Sequence, residues 1–468
     1  MSTGDMGAGA DAAAGAAGHG ELNLERLPEL LAGQRWFGRK AFPIRSVRAV
    51  DVVRLPAPGE REALLVSVEV SFMGVPAEQY LVAVLPGEQG ALLPALEDDR
   101  VVQALFQLLR EEGRAVTGGS QLRGGRVPGA EAALAALPGT LPVRPLSVEQ
   151  SNSSFVLGER VILKVIRKLE PGPSPEHEVG LFLATRTSFR AVPALLGALF
   201  LEGQTQSTIA TAHEYVSGAV DGWRWLLDRY AQLGGAPLPD DLVTRLRDLG
   251  TCVGDLHLAL ASAPDDPVFA PEPIQQEDLQ RWSAGLVGEI GVTLAEASKL
   301  FPDLFERRGE VAKRAMRMAH LQPSGMKIRL HGDLHLGQVL FKDGRWLVFD
   351  FEGEPGRGLS QRREKHSPLR DVAGMLRSLA YAAAKVELDG APRSDRVERS
   401  RAAFLDGYLA RVQGSGLLPQ RDEDLLGLLH ALELEKVLYE IRYEVNNRPD
   451  WASIPVSSLL NPGEPSGA

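Results

Sequence analysis

The spacing of hydrophobic residues predicts a sheet in the amino-terminal part of the chain. The segments SVRAVDVVRL, EALLVSVEVSF and EQYLVAVL alternate apolar and polar residues and are rich in β-branched side chains. The turn-forming sequences PAPGE and MGVPA separate these segments, as expected for antiparallel strands. Helical spacing precedes the strands in LNLERLPELLAG and follows them in RVVQALFQLLREEG, so this part of the chain combines helices with a sheet.

A second strand-rich stretch and a long helical stretch follow. In VRPLSVEQSNSSFVLGERVILKVIRKLEPG the turn LGER separates two β-like runs, and a helical pattern begins at Ser174-Pro175. Beyond residue 221 the periodicity is mostly helical, apart from the strand-like WLVFDF after an Asp-Gly turn. The patterns predict an α+β protein divided into a disordered tail at 1–20 and folded regions at 21–140, 141–216 and 217–468.

Composition narrows the class of function. The chain of 468 residues has 44% hydrophobic content and a formal net charge of -10, which supports a large core and argues against a nucleic-acid partner. The single cysteine excludes an internal disulfide. The first twenty residues lack the pattern of a secretory signal, and no apolar stretch approaches the ~20 residues of a membrane span. We therefore expect a soluble, cytoplasmic enzyme without a membrane partner.

Residues suited to phosphoryl transfer follow one another in a defined order. HGDLHLGQVLF contains Asp333 in a loop before a strand and Gln338 five positions later, and Asp350 closes the strand WLVFD. This is the spacing of a kinase catalytic aspartate and its metal ligands, and Mg²⁺ prefers such oxygen ligands. The sequence therefore predicts a kinase that uses ATP and Mg²⁺.

Two kinds of support are predicted around these residues. His331 is interpreted as a residue that orients the loop of Asp333, and Arg370 and Asp371 are expected to brace that loop rather than contact substrate. Lys164 lies inside the apolar run VILKVI, where burying an unpaired ammonium would cost several kcal/mol.

The partner expected for Lys164 is a carboxylate on the following helix. Glu178 is favoured because the apolar face of the helix follows it, and Glu176 is the alternative. No glycine-rich loop precedes the Lys164 strand. Instead, a polar turn is predicted to hold phosphate oxygens through hydroxyl and main-chain N–H groups, with a simple solvated turn as the alternative. This turn comprises Gln150, Ser151, Asn152, Ser153 and Ser154.

These motifs resemble those of the bacterial maltokinases, which are aminoglycoside-phosphotransferase-like kinases of the protein-kinase-like superfamily. The similarity covers most of the chain and includes QRWFGRK, EQSNSSFVLGERVILKVIRKLEPG, HGDLHLGQVLF, DFEGEP, SPLRDVAGMLRSLAYAA and YEIRYEVNNRPDW. DFEGEP replaces the DFG of protein kinases. The resemblance implies a two-lobed kinase-like fold with an amino-terminal cap subdomain at 21–140, a β-rich ATP-binding lobe at 141–216 and a mostly helical carboxy-terminal lobe at 217–468.

The resemblance also implies roles for individual residues. Asp333 would be the catalytic aspartate, Gln338 and Asp350 would hold Mg²⁺, and Lys164 would bind the ATP phosphates. The adenine-binding hinge would comprise His213, Glu214, Tyr215 and Val216. The implied reaction is phosphorylation of maltose at its anomeric hydroxyl to give maltose 1-phosphate, within trehalose and glycogen metabolism.

A mixed aromatic and charged helix face is the predicted acceptor site. Lys436, Tyr439, Glu440 and Tyr443 are spaced by three and four residues, which places them on one face. Aromatic rings cover the C–H surfaces of sugars while charged groups bind hydroxyls. The alternative interpretation is an amphipathic helix whose tyrosines pack into the core.

Two other functions remain open. One is a kinase of another small sugar, an amino sugar such as glucosamine, or an aminoglycoside, although an ammonium-bearing acceptor would favour additional carboxylates in its pocket. The other is a non-catalytic, kinase-like partner of trehalose synthase, with which maltokinases are associated or fused. The presence of Lys164, Asp333, Gln338 and Asp350 argues against this second alternative.

Overall fold

A computed structural model describes residues 24–40, 42–55, 62–88, 91–117, 120–146, 151–203, 205–392 and 394–461. The predicted tail at 1–20 and Gln150 of the predicted polar turn lie outside the described residues. The chain divides into two compact units, residues Met1–His177 with Ala194–Ser217 and residues Glu178–Pro193 with Gly218–Ala468.

The first unit contains two antiparallel sheets. Its strands are β1 (Ile44–Leu55), β2 (Ala63–Phe72), β3 (Glu78–Pro86), β4 (Leu92–Pro94), β5 (Arg114–Thr117), β6 (Ser120–Arg126), β7 (Val143–Leu146), β8 (Asn152–Leu157), β9 (Val161–Ile166), β10 (Lys168–Leu169), β11 (Leu195–Glu202) and β12 (Gln206–Glu214). In the described residues the first sheet has the order β1-β2-β3-β10, with β4 paired to β3. The second has the order β5-β6-β11-β12-β9-β8-β7.

Each sheet contains strands from both sides of the domain boundary predicted at residue 140. Strands β5 and β6 precede it, yet they pair in one sheet with β11 and β12, which follow it. Strand β10 also follows it and pairs with β3 of the first sheet. The predicted cap and the predicted β-rich lobe therefore both contribute strands to each sheet. The sequence pattern did not reveal this, because pairing between distant segments is set by tertiary contacts.

The first unit also contains helices. They are α1 (Leu27–Gly33), α2 (Asp99–Arg110) and α3 (Glu131–Ala135), while α4 (Pro175–Arg186) begins here and continues into the second unit; 3₁₀ turns lie at Leu24–Arg26 and Ala95–Glu97. Helix α1 and the pair Trp36–Phe37 pack against apolar side chains of β2 and β3. The alternation of apolar and polar residues along these strands provides the buried face, as predicted.

The second unit is built mainly of helices. They are α5 (Gly222–Leu233), α6 (Asp240–Leu260), α7 (Gln276–Ala297), α8 (Arg308–Met316), α9 (Leu359–Arg362), α10 (Leu369–Leu388), α11 (Arg396–Val412), α12 (Asp422–Asn447) and α13 (Ser453–Leu460), with 3₁₀ turns at Pro302–Arg307, Arg317–His320, Leu336–Gln338 and Pro449–Trp451. Its short strands are β13 (Val220–Asp221), β14 (Glu272–Pro273), β15 (Met326–Lys327), β16 (Val339–Lys342) and β17 (Arg345–Val348). Within the described ranges, no helix has both the length and the apolar character of a membrane span.

Close packing of α10 fixes the loop that carries Asp333. A Cβ atom added at Gly374 of α10 would lie 2.5 Å from the main-chain oxygen of Leu334. Only glycine therefore allows α10 to approach the loop this closely. The loop leads into the hairpin β16–β17, which begins with Val339 opposite Val348.

Candidate active site

In the first unit, the buried Lys164 is paired with a carboxylate of helix α4. Lys164 of β9 is 5% exposed, and its Nζ lies 3.4 Å from Oε2 of Glu176. The prediction that Glu178 is the partner is wrong, because the Glu178 carboxylate binds Arg329 at 2.5 Å and Arg363 at 2.6 Å. Residues two apart on a helix point in different directions, so only one of the two acids can face Lys164.

The carboxylate of Glu176 also contacts a histidine. Its Oε1 lies 3.3 Å from Nε2 of His213, at the end of β12. Burial raises the pKa of Glu176, but Lys164 and His213 lower that pKa further, and the net shift is below its usual value. Glu176 is therefore ionised at neutral pH, although only 4% of the residue is exposed.

The strand register places several polar residues on the Lys164 face of the second sheet. Lys164 lies directly opposite Ser154 of β8 and Thr211 of β12. Asn152 and His213 each lie two residues along from these positions, so their side chains share that face. This arrangement was not predicted, since it depends on the pairing of three strands.

The predicted polar turn is largely part of a strand. Asn152, Ser153 and Ser154 belong to β8 and pair with β9, so the turn prediction is wrong for these three, and Ser151 precedes the strand. Ser153 is on the opposite face from Lys164, and its hydroxyl oxygen accepts a 3.0 Å hydrogen bond from Nε of Arg167. Main-chain pairing between β8 and β9 replaces the turn geometry that the Ser/Asn composition suggested.

The predicted hinge residues lie at the end of β12. His213 and Glu214 are the last residues of the strand, and Tyr215 and Val216 follow it. The main-chain N–H of Glu214 donates to the oxygen of Ala194 at 2.8 Å, and that of Tyr215 donates to the oxygen of Arg160 at 2.8 Å. These two N–H groups are therefore engaged within the unit, and a contact with adenine stays a prediction.

In the second unit, the loop of Asp333 is held from two sides. The carboxylate of Asp371 accepts hydrogen bonds from the main-chain N–H groups of His331 and Gly332, both at 2.9 Å. His331 Nε2 lies 2.8 Å from the main-chain oxygen of Phe349, which identifies Nε2 as the protonated nitrogen. These contacts confirm that His331 and Asp371 support the loop.

Sequence reasoning missed the groups that hold Asp371 in place. His257 of α6 is fully buried and bridges Asp371, at 3.3 Å from its Nε2, and the Tyr408 hydroxyl, at 2.9 Å from its Nδ1. The one signal in the sequence is a histidine inside the apolar run of α6. A buried histidine of this kind needs polar partners on both nitrogens, and those partners come from distant helices.

The candidate catalytic aspartate is in contact with a lysine. Asp333 Oδ1 lies 3.2 Å from Nζ of Lys436 on α12, and both side chains are nearly buried. Burial raises the pKa of Asp333, but Lys436 and the neighbouring His335 and His331 lower it, and the net pKa is below the usual value. Asp333 is therefore an ionised carboxylate that can accept a hydrogen bond from a substrate hydroxyl.

The candidate metal ligands are brought together by the hairpin β16–β17. The main-chain oxygen of Gln338 accepts a 3.0 Å hydrogen bond from the N–H of Phe349, the residue before Asp350. Asp350 has φ 66°, in the left-handed region that aspartate tolerates better than most residues. An amide oxygen and a carboxylate are ligands that Mg²⁺ accepts, so the residues present fit this ion.

The predicted acceptor residues share the face of α12 that includes Lys436. The rings of Tyr439 and Tyr443 are stacked with centroids 6.4 Å apart, and Lys436 Nζ lies 5.4 Å from the Tyr439 ring centre. The carboxylate of Glu440 is bound by Arg377 at 2.7 Å and 3.2 Å. A sugar contact by these residues stays a prediction, and Glu440 already has a charged partner.

A network of four charged residues near Lys436 was not predicted. Glu354 of DFEGEP lies 2.9 Å from Arg357 and 3.4 Å from Arg370, and Glu435 lies 2.7 Å and 2.8 Å from the same two arginines. Arg370 was predicted to brace the Asp333 loop and instead belongs to this network. Each acid has two cationic partners, so the network contributes no uncompensated negative charge.

Comparisons with known proteins show which family the chain resembles. The model of the phosphotransferase enzyme family matches residues 142–353. The chain is 30% identical over 361 residues to the glucosamine kinase of Streptacidiphilus jiangxiensis, covering 72% of this chain and 78% of that protein. It is 28% identical over 326 residues to the glucosamine kinase of Mycolicibacterium smegmatis, covering 68% and 78%.

A solved structure shows the same similarity. It is a glucosamine kinase in complex with glucosamine, ADP and inorganic phosphate, with a TM-score of 0.68, 25% identity and coverage of 93% of this chain and 99% of that chain. The fold and the residues around Asp333 define a phosphotransferase with a kinase-like fold. The chain belongs to the phosphotransferase enzyme family, within the protein-kinase-like superfamily. The named relatives are glucosamine kinases, so the finer resemblance to maltokinases stays a prediction.

Proposed function

We propose that this enzyme transfers the γ-phosphoryl group of ATP to a hydroxyl group of a small sugar. The observation that carries the proposal is the nearly buried Asp333 carboxylate, in contact with Lys436 and on a loop fixed by His331 and Asp371. A carboxylate held in this way can orient a hydroxyl and accept its proton. The similarity to sugar kinases over most of the chain supports the same conclusion.

The residues divide the reaction between them. Asp333 binds the acceptor hydroxyl and receives its proton as the oxygen attacks the γ-phosphorus and the bond to the bridging oxygen of ADP breaks. Lys164, paired with the Glu176 carboxylate, offsets the negative charge of the nucleotide phosphates. Gln338 and Asp350 would hold Mg²⁺, which when bound neutralises charge on the phosphates.

Glucosamine is the first candidate for the acceptor. Two relatives are glucosamine kinases, and the similar solved structure contains glucosamine. With this acceptor, the Asp333 carboxylate and the α12 face would bind a sugar that carries an ammonium group. The proposal is that the same family site serves the same class of substrate.

Maltose is the second candidate, and the charge around Asp333 favours it. Lys436 lies 3.2 Å from Asp333 and retains its charge, because burial lowers its pKa but Asp333 raises it, with a net shift above the usual value. An acceptor ammonium placed beside Asp333 would be repelled by Lys436. Glu354 and Glu435, the nearby acids described above, are already paired with arginines. A neutral sugar avoids this repulsion.

The test is a coupled assay of ADP release with ATP and Mg²⁺ against glucosamine, maltose, glucose, trehalose and kanamycin. The phosphorylated position of the product would be assigned by ³¹P NMR. A selective signal with glucosamine or with maltose identifies the acceptor. No turnover on any of these compounds, with ADP binding intact by calorimetry, would refute the proposal and favour a kinase-like partner of trehalose synthase.

Such an association and a cytoplasmic location stay predictions.

A further inference from the structure

We infer that the amino-terminal segment supports the nucleotide-binding strand through a buried arginine, and that Trp36, Arg167 and Ser153 are positioning residues for ATP. The inference rests on the proposed function in naming ATP as the ligand. It assigns a role to the QRWFGRK motif, which the reaction described above does not use.

Arg167 is a buried cation whose contacts, within the part of the chain that the structure describes, are with uncharged groups. The residue is 6% exposed, and its guanidinium donates to the Ser153 hydroxyl at 3.0 Å and to the main-chain oxygen of Leu81 at 3.4 Å. The Trp36 ring covers it, with the guanidinium carbon 4.7 Å from the ring centre. Burial lowers the pKa of Arg167 to about 9, so the side chain is still charged at neutral pH.

None of the described residues places a carboxylate on Arg167, and burying a charge without such a partner is costly, so an ordinary packing role explains this residue poorly. A methionine would fill a similar volume at a lower desolvation cost. What arginine adds is directional hydrogen bonding, since its planar guanidinium can hold a hydroxyl, a carbonyl and a ring at fixed positions. The role of Arg167 therefore depends on the groups that its hydrogen bonds hold in place.

The group that Arg167 holds is the start of β8. Ser153 lies between Asn152 and Ser154, whose side chains are on the opposite face of the strand, the face shared with Lys164. The Arg167–Ser153 hydrogen bond therefore fixes from behind the stretch of strand that presents these two polar side chains beside Lys164. A shift of β8 would change the position of both.

The amino-terminal segment reaches this point by two routes. Trp36 stacks on Arg167, as described above, and Arg39 binds Glu78 at 2.8 Å, while Lys168 binds the same carboxylate at 2.7 Å. QRWFGRK thus contacts Arg167, the residue after β9, directly and is linked to Lys168 through the shared Glu78 carboxylate. The N–H of Leu81 also donates to the main-chain oxygen of Arg167 at 2.7 Å. The two sheets of the first unit are joined at this point.

The test compares variants along this chain of contacts with a matched packing variant. Trp36→Leu, Arg167→Met and Ser153→Ala are expected to raise the Kd for ADP with Mg²⁺ and the KM for ATP about tenfold, which corresponds to ~1.4 kcal/mol. The KM for the acceptor sugar should stay within about twofold. Phe37→Leu is the control, because Phe37 packs on Phe72 and Tyr80 in the same core cluster and is expected to change thermal stability only.

A double variant separates positioning from general destabilisation. Because Arg167 acts through Ser153, the combination of Arg167→Met with Ser153→Ala should raise the Kd for ADP little more than either change does by itself. If both single variants bind ADP normally and lose only melting temperature, as Phe37→Leu does, the inference is overturned. ADP binding is measured without any sugar, so failure to find an acceptor would leave this test intact.

Discussion

Two of the lysine–carboxylate pairs, Lys164–Glu176 and Lys436–Asp333, use the same chemistry in opposite ways. In the first unit, Lys164 is the group with the proposed substrate role, and the Glu176 carboxylate pairs with it at 3.4 Å. In the second unit, Asp333 is the proposed reacting group, and Lys436, 3.2 Å away, lowers the pKa of its carboxyl. In the proposed reaction, each pair contains one group that acts on the substrates and one that supports it electrostatically. A buried ion pair therefore does not reveal by itself which partner reacts.

The surroundings of the two pairs differ as well. The carboxylate of Glu176, which pairs with Lys164, is also held by His213. Lys436 instead lies near a second acid, Glu354. The negative charges of Asp333 and Glu354 both raise the pKa of Lys436. Because of these differences, we expect substitutions at Asp333, Glu176, Lys436 and His213 to have effects that decrease in that order.

Removing the charge of Asp333 should have the largest effect. Asp333→Asn is expected to lower kcat by about 10³-fold, because general-base catalysis by one group contributes 10²- to 10⁴-fold. The assay is ADP release with the preferred sugar, with ADP affinity and circular dichroism as checks on folding. Asp343→Asn, in the turn of the hairpin β16–β17, is the control and should be active. A kcat for Asp333→Asn within tenfold of the wild type would remove Asp333 from the catalytic role.

The corrected pairing of Lys164 can be tested with two neighbouring glutamates. Glu176→Gln should reduce kcat/KM for ATP about 30-fold, since a charged hydrogen-bonded partner of Lys164 contributes ~2 kcal/mol. Glu178→Gln should leave kcat/KM for ATP near the wild-type value. It should lower the free energy of unfolding by about 3 kcal/mol, because Arg329, 2% exposed, loses its carboxylate. The reverse pattern in kinetics and urea unfolding would restore Glu178 as the partner.

The pH dependence of kcat tests the support that Lys436 gives to Asp333. Lys436 lowers the pKa of Asp333, so Lys436→Met should raise that pKa and move the acid limb of the kcat profile to higher pH, with kcat at pH 7 reduced about tenfold. For stability the sign is the same as for other carboxylates with a depressed pKa. The contribution is present above the unfolded pKa of Asp333 and is lost as the pH falls through the folded value.

The same variant separates the two candidate acceptors. If Lys436 disfavours an ammonium, Lys436→Met should improve the selectivity for glucosamine relative to maltose, measured as the ratio of kcat/KM values. Lys342→Met, on β16, serves as the control and should leave the ratio unchanged. An acid limb that does not move in Lys436→Met would show that Lys436 does not tune Asp333.

The smallest effect is expected at His213. His213→Leu leaves the Lys164–Glu176 pair in place and removes one donor from Glu176, so kcat/KM for ATP should fall about threefold, as for the loss of one hydrogen bond. His213→Gln retains an N–H donor and should recover most of this loss. A His213→Leu variant as impaired as Glu176→Gln would mean that the histidine, rather than Lys164, is the main partner of that carboxylate.

Much of the fold and several functional residues could be predicted from local sequence. Alternation in β1, β2 and β3 defined strands because one face of each must be buried. The spacing of Asp333, Gln338 and Asp350 predicted a kinase, and the phosphotransferase family was confirmed, while the roles of these three residues stay predictions. The narrower maltose specificity was not, because local sequence does not give the charge distribution of an acceptor pocket.

The sequence by itself determined that Lys164 needs a carboxylate partner, since an unpaired ammonium in an apolar strand is too costly to bury. Only the tertiary structure decided that this partner is Glu176, that the Ser153 hydroxyl binds Arg167, and that Lys436 pairs with Asp333. The reason is that the direction of a side chain depends on strand pairing and on the rotation of each helix about its axis. Both are set by the packing of residues far apart in the chain, which the spacing of neighbouring residues does not record.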